Sequence, residues 1–234
     1  MTGKETTRGS LWLVATPIGN LSDFSARATS VLTNVDIIAS EDTRVTKKLL
    51  NHLDISKPLI SYREENEKFK SLELANLIDS GQSVAIVSDA GYPGISDPGF
   101  RLVRECRRRG INVFPIPGPN AAITALAASG LPTHQFLFLG FLSKKASAIE
   151  KVLIKWADFE GSIIIYESKF RIKKTLLGIK NVLGGARWIC VSREITKLNE
   201  TFYIGTIEKI NNEFGQLNLK GEFTMVIAPK DYIL

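Results

Sequence analysis

Three short apolar runs of this chain each end in a loop of glycine, proline and polar residues that opens into a helical pattern. Leu11-Trp-Leu-Val-Ala15 runs into Thr16-Pro-Ile-Gly-Asn20, and Val113-Phe-Pro-Ile116 into Pro117-Gly-Pro-Asn-Ala121. The longest loop, Ser88-Asp-Ala-Gly-Tyr-Pro-Gly-Ile-Ser-Asp-Pro-Gly99, follows Val84-Ala-Ile-Val87 and leads to a helical segment ending at Arg109. A strand, a Gly/Pro/Asp loop and then a helix is the geometry that holds a ligand at the carboxyl edge of a parallel sheet. Three such loops predict a small-molecule cleft.

The alternation continues along the chain. Strands are predicted at 11–16, 36–40, 59–61, 83–88 and 112–116, with helices at 25–33, 44–53, 67–80 and 99–109 between them. Gly81 and Gly110 stand where helices stop. This predicts a mostly parallel sheet flanked by helices. The small-residue helix 120–129 closes the first domain, so the division is a lead at 1–10, a first α/β domain at 11–130 and a second at 131–234. The second domain mixes strands at 136–140, 162–166, 188–193, 201–205 and 222–228 with helices at 146–156, 172–182 and 207–214.

Several chemistries are excluded by spacing. No two of the 18 glycines form G-x-G, which removes a dinucleotide fingerprint, and no Gly-Lys-Ser/Thr stands for a phosphate loop. His52 and His134 are far apart and without partner motifs, so neither a histidine triad nor a metal site is expected. Cys106 and Cys190 are too few for a disulfide framework, which suits a reducing cytoplasm. No apolar run approaches the ~18–20 residues of a membrane span.

The net charge is +6, and residues 141–180 hold most of the excess, nine Lys/Arg against four Asp/Glu. Such a surface suits RNA phosphates or simply a solvated face. Two further polar groups follow strands. Glu41-Asp-Thr-Arg44 sets two carboxylates beside an arginine, a costly arrangement unless paired or used, and Asp42 or Thr43 also suits a helix N-cap. Tyr62-Arg-Glu-Glu-Asn-Glu67 follows the strand at 59–61.

Together these segments resemble one family. Thr16-Pro-Ile-Gly-Asn20-Leu-Ser-Asp23, Ser40-Glu-Asp-Thr-Arg44, Asn66-Glu67, Val87-Ser-Asp-Ala-Gly91, Asp97-Pro-Gly99 and Pro117-Gly-Pro-Asn-Ala121 match the ribosomal RNA small subunit methyltransferase I family of the tetrapyrrole methylase superfamily. Gly140-Phe-Leu142, Tyr166-Glu-Ser168, Arg171, Arg193-Glu194, Thr196-Lys197 and Lys220-Gly-Glu222 extend the match over nearly the whole chain. The chain differs in Tyr92, where the family has a threonine, and in lacking a histidine before Asn66-Glu67.

The resemblance implies two α/β domains with S-adenosylmethionine (SAM) in the cleft between them, in a homodimer. It implies methylation of a cytidine ribose 2′-hydroxyl in small-subunit ribosomal RNA, free or in the assembled subunit. Pro17, Gly19, Asp89, Gly91, Pro93, Ala121 and Ala122 are then the expected SAM contacts. Glu41, Asp42, Arg44, Asn66 and Glu67 are expected in catalysis, with Lys144, Lys145, Arg171 and Lys173 on RNA. Two other readings compete. One is a tetrapyrrole or other small-molecule methyltransferase of the same fold, whose members carry Gly-x-Gly where this chain has Thr16-Pro-Ile-Gly-Asn20. The other is a non-catalytic RNA-binding assembly factor.

Overall fold

Runs of valine, isoleucine and leucine become the strands of two separate sheets in the computed structural model, which describes residues 8–217 and 220–234. Asn120 closes one compact unit and Ala121 opens the other. In the first unit the chain runs β1 (Leu11–Val14), α1 (Ala26–Asn34), β2 (Ile37–Ser40), α2 (Thr43–His52) and β3 (Leu59–Ser61). It continues through α3 (Glu67–Asp79), β4 (Val84–Val87), α4 (Phe100–Arg108) and β5 (Val113–Ile116).

These strands pair in parallel in the order β3-β2-β4-β1-β5. Parallel strands buried on both faces read as unbroken apolar runs, and all of β4 is buried. Crossovers from β1 to β2 and from β2 to β3 run one way along the sheet, while β3 to β4 and β4 to β5 run the other. Right-handed connections therefore put α1 and α2 on one face and α3 and α4 on the opposite one. The core divides accordingly. Ala28, Leu32 and Leu50 pack with Val87 and Ile116 in one cluster, and Leu74, Ile78, Leu102 and Cys106 with Leu11 and Ile86 in the other.

Local chemistry sets the helix ends. Ser25 Oγ accepts the Ala28 amide, Asp42 accepts the Arg44 amide, and Gly110 follows α4 at φ +69°. Of the lead at 1–10, residues 1–7 lie outside the described residues. Arg8 pairs with Asp79, and Gly9 donates its amide to the Ile78 carbonyl, so Arg8 to Ser10 are packed onto the unit.

The second unit holds α5 (Ala121–Ala128), β6 (Phe136–Phe141), α6 (Ala146–Lys155), β7 (Ser162–Ser168), α7 (Ile172–Leu183), β8 (Trp188–Arg193), β9 (Thr201–Thr206), α8 (Ile207–Gln216) and β10 (Glu222–Ile227). Its sheet runs β6-β7-β10-β8-β9, parallel only between β6 and β7. Ile163, Ile165, Ile189, Val191, Met225 and Ile227 face α6, α7 and α8. Helix α5, which the sequence reading put with the first domain, packs on β7 and β10 instead. Its small side chains allow that approach.

Candidate active site

Strand order places the loops. In an open α/β sheet, ligands sit outside the carboxyl ends of strands whose connections leave in opposite directions. The connection after β4 leaves toward one face, and those after its neighbours β1 and β2 leave toward the other. The loops after β1, β2 and β4 meet there. Thr16 donates its amide to the Gly91 carbonyl at 2.9 Å, and Gly91 returns the bond to Thr16 at 3.0 Å. Thr16 Oγ donates to the Ser88 carbonyl, and Ser88 Oγ to that of Gly91. The Asp42 amide donates to Asp89 Oδ1 at 3.1 Å, tying the β2 loop to the β4 loop. Gly91 holds φ +83°, so a side chain there strains the turn itself before it meets any ligand. Tyr92 donates its hydroxyl to the Ile116 carbonyl at the end of β5.

The charges at these loops are mostly negative. Burial raises the Glu41 carboxyl above its ordinary value, and Asp89 and Glu65 add repulsion while Arg63 opposes it. Burial likewise raises Asp89, against the pull of the Asp42 amide. Asp97 is pushed up to about 7, chiefly by burial and then by Glu41 and Asp89. Asp97 lies in the matched motif yet was not among the expected site residues; an aspartate in a Gly/Pro loop gave no separate signal. Asp42 behaves oppositely. Its oxygens accept Arg44 Nε at 3.0 and 3.2 Å and Nη2 at 2.6 Å, and these bonds hold it well below the usual carboxylate range.

The expected catalytic acids therefore differ in what they can do. Glu41 makes no side-chain hydrogen bond among the described residues, whereas its carbonyl accepts Arg63 Nε at 3.1 Å. Glu67 is buried and engaged: its Oε1 accepts the Tyr62 hydroxyl at 3.2 Å and the amides of Gly99 at 3.0 Å and Arg101 at 3.1 Å. Arg101 Nε lies 3.4 Å from the other oxygen. Asn66 stitches its own turn, accepting the Arg63 amide and donating to the Ser61 carbonyl. Glu67 and Asn66 thus hold the β4 and β3 loops in place.

Beside these groups lies a cavity of about 260 Å³, lined by Thr16, Pro17, Gly19, Leu21, Val45, Thr46, Lys48, Leu49, Ser88 and Asp89. Among the expected SAM contacts it includes Pro17, Gly19 and Asp89 but not Gly91 or Pro93. Ala121 and Ala122 open α5 in the second unit, where the Ala122 amide donates to the Tyr166 hydroxyl at 3.1 Å. The expected RNA cations also lie in the second unit. Lys144 and Lys145 are exposed before α6. Arg171 is engaged, donating to the Leu142 and Ser143 carbonyls at 2.8 and 3.0 Å and pairing with Glu167. Lys173 donates to the Gly215 carbonyl at 3.1 Å. Phe170 is 86% exposed, with Lys169 Nζ 4.9 Å from its ring centre. Among the described residues no group of three or more His, Cys, Asp or Glu is placed to hold a metal ion, and no helix is long and apolar enough to cross a membrane.

Residues 10–211 match the sequence model of the Tetrapyrrole (Corrin/Porphyrin) Methylases. The chain is 48% identical over 220 residues to the ribosomal RNA small subunit methyltransferase I of Synechocystis sp., across 94% of this chain and 79% of that protein. It is 46% identical over 220 residues to the protein so named in Halalkalibacterium halodurans, across 94% and 76%. Among solved structures it is similar to the methyltransferase CobJ, with a TM-score of 0.68 at 20% identity over 94% of each chain, a likeness of fold.

Proposed function

The chain belongs to the tetrapyrrole (corrin/porphyrin) methylases, among the ribosomal RNA small subunit methyltransferases I, and from that premise we propose that it methylates a cytidine ribose 2′-hydroxyl of small-subunit ribosomal RNA. SAM is the donor and supplies an electrophilic methyl group on a sulfonium. Its fit rests on Asp89 and Asp97, carboxylates whose burial and mutual repulsion favour an incoming cation. In the first unit Pro17, Gly19, Asp89, Gly91 and Pro93 are the proposed SAM residues.

The observation that carries the mechanism is the unbonded Glu41 carboxylate next to Asp89. Its raised proton affinity suits it to accept the hydroxyl proton, a role that supplies roughly 10²–10⁴-fold in rate. Asp42, held low by Arg44, is the poorer base. It aims the Arg44 guanidinium, whose remaining edge is free to meet a phosphate or carboxylate. Asn66 and Glu67 act by positioning the loops.

RNA is held by the basic loops of the second unit. Lys144 and Lys145 reach phosphates, Arg171 and Lys173 shape the surface, and exposed Phe170 offers a face on which a base stacks. The enzyme works in the cytoplasm as a homodimer, and the apolar side chains exposed on the adjoining helices α3 and α4 serve as the contact. Mapping ribose methylation in ribosomal RNA from cells lacking this protein tests the reading. One missing 2′-O-methyl cytidine in the small subunit, restored by the wild-type chain but not by Glu41→Gln, is expected. An unchanged methylation map overturns it.

A further inference from the structure

The cavity in the first unit has a wall that the donor residues do not explain. Half of its lining comes from Leu21 and from Val45, Thr46, Lys48 and Leu49 on α2, the helix that starts just after Glu41. Gly91 and Pro93 lie outside it.

The lining divides by chemistry. Leu21 and Val45 are 47% and 39% exposed, large apolar side chains left to water on the cavity's wall. They suit the face of a base. Lys48 is exposed on the same wall and makes no side-chain hydrogen bond among the described residues, which suits a phosphate. Asp89 lines the cavity too, and it is joined through the Asp42 amide to the segment that carries Glu41. A hydroxyl near Asp89 therefore lies beside the segment that carries Glu41, the proposed proton acceptor. Thr46 adds a buried hydroxyl with no hydrogen-bond partner among the described residues.

We propose that the Leu21 and α2 wall of this cavity is the acceptor subsite, which takes one nucleotide turned out of single-stranded RNA, its base against Leu21 and Val45 and its phosphate on Lys48. Extrusion into a pocket is how enzymes reach a nucleotide that stacking would otherwise hide, and unpaired RNA allows it at least cost. The inference rests on the RNA-methylation reading above and names the part of the site that meets the RNA.

Two substitutions test it. Val45→Trp fills the cavity from an exposed position, and Lys48→Glu reverses the charge on its wall. Calorimetry with SAM, and methyl transfer to small-subunit particles and their RNA, are measured for each beside the wild type. Val45→Trp is expected to keep SAM affinity within twofold and lose at least tenfold in kcat/KM. Lys48→Glu is expected to raise the RNA KM severalfold and make binding less sensitive to salt by about one phosphate contact. Full turnover by a folded Val45→Trp overturns the subsite while leaving the RNA reading intact. So does loss of SAM affinity in that variant, which assigns the cavity to the donor. A wild-type enzyme that methylates a small acceptor and no RNA overturns the parent reading, and the subsite with it.

Discussion

Asp97 and Glu67 are acids held in opposite ways at the two ends of one loop system. Glu67 accepts three donors, whereas Asp97 makes no side-chain hydrogen bond among the described residues and is pushed up to about 7 by burial and by Glu41 and Asp89. For Asp97 the folded protein binds its proton more tightly than the unfolded chain. The stability this confers is full below about 4 and is lost as pH rises through about 7. Affinity for a cationic donor runs the other way, since ionised Asp97 attracts it. Calorimetry is expected to show SAM binding strengthening as pH rises through 7, with proton release, and Asp97→Asn flattening that dependence. Glu41→Gln is expected to lose at least about tenfold in turnover with SAM affinity and denaturation midpoint unchanged. Glu67→Ala, by contrast, should lower stability in denaturant by about 1–3 kcal/mol for each buried donor it leaves unmet. The sequence grouped both glutamates as charged residues after strands; only the bonds around each carboxylate separate them.

Among the elements, the loops that flank β6 and β7 show how one arginine sets a surface. The Arg171 guanidinium brackets the Leu142 and Ser143 carbonyls against the start of α7, which places Lys144 and Lys145 on the same surface as Lys169 and Phe170. Replacing Lys144 and Lys145 with alanine is expected to reduce the salt dependence of RNA binding by about two contacts and leave SAM affinity alone. Arg171→Ala removes one charge yet should weaken RNA binding more than either single lysine change, because the bracketed loop loosens. Filter binding across a salt series measures both. Charge counting found this segment, but it could not tell a cation reaching solvent from one spent on backbone carbonyls. The helices and strands themselves were legible, Leu59–Ser61 and Trp188–Arg193 to the residue, because apolar runs punctuated by glycine are local signals.

At the scale of the molecule, pairing was less legible than the elements. Strand β4 enters between β2 and β1, and β10, last in sequence, becomes the middle of its sheet. Long-range pairing of this kind leaves no periodic trace, which is also why the meeting of Glu41, Asp89 and Asp97 was invisible before folding. Phe69 on α3 and Phe100 at the start of α4 are 71% and 63% exposed on neighbouring helices, a face costly to leave in water. If the proposed homodimer meets through this face, Phe69→Asp halves the mass seen by light scattering while SAM binding persists; an unchanged mass overturns that contact. The reciprocal bonds between Thr16 and Gly91 bear on time as well as shape. They fasten two loops as firmly as a short ribbon, so these loops have little disorder left to surrender when a small molecule arrives. Binding of SAM at the proposed site is then expected in stopped flow as a single phase without gating, and the amides of Thr16 and Gly91, although they lie in loops, are expected to exchange for deuterium as slowly as those of the strands beside them.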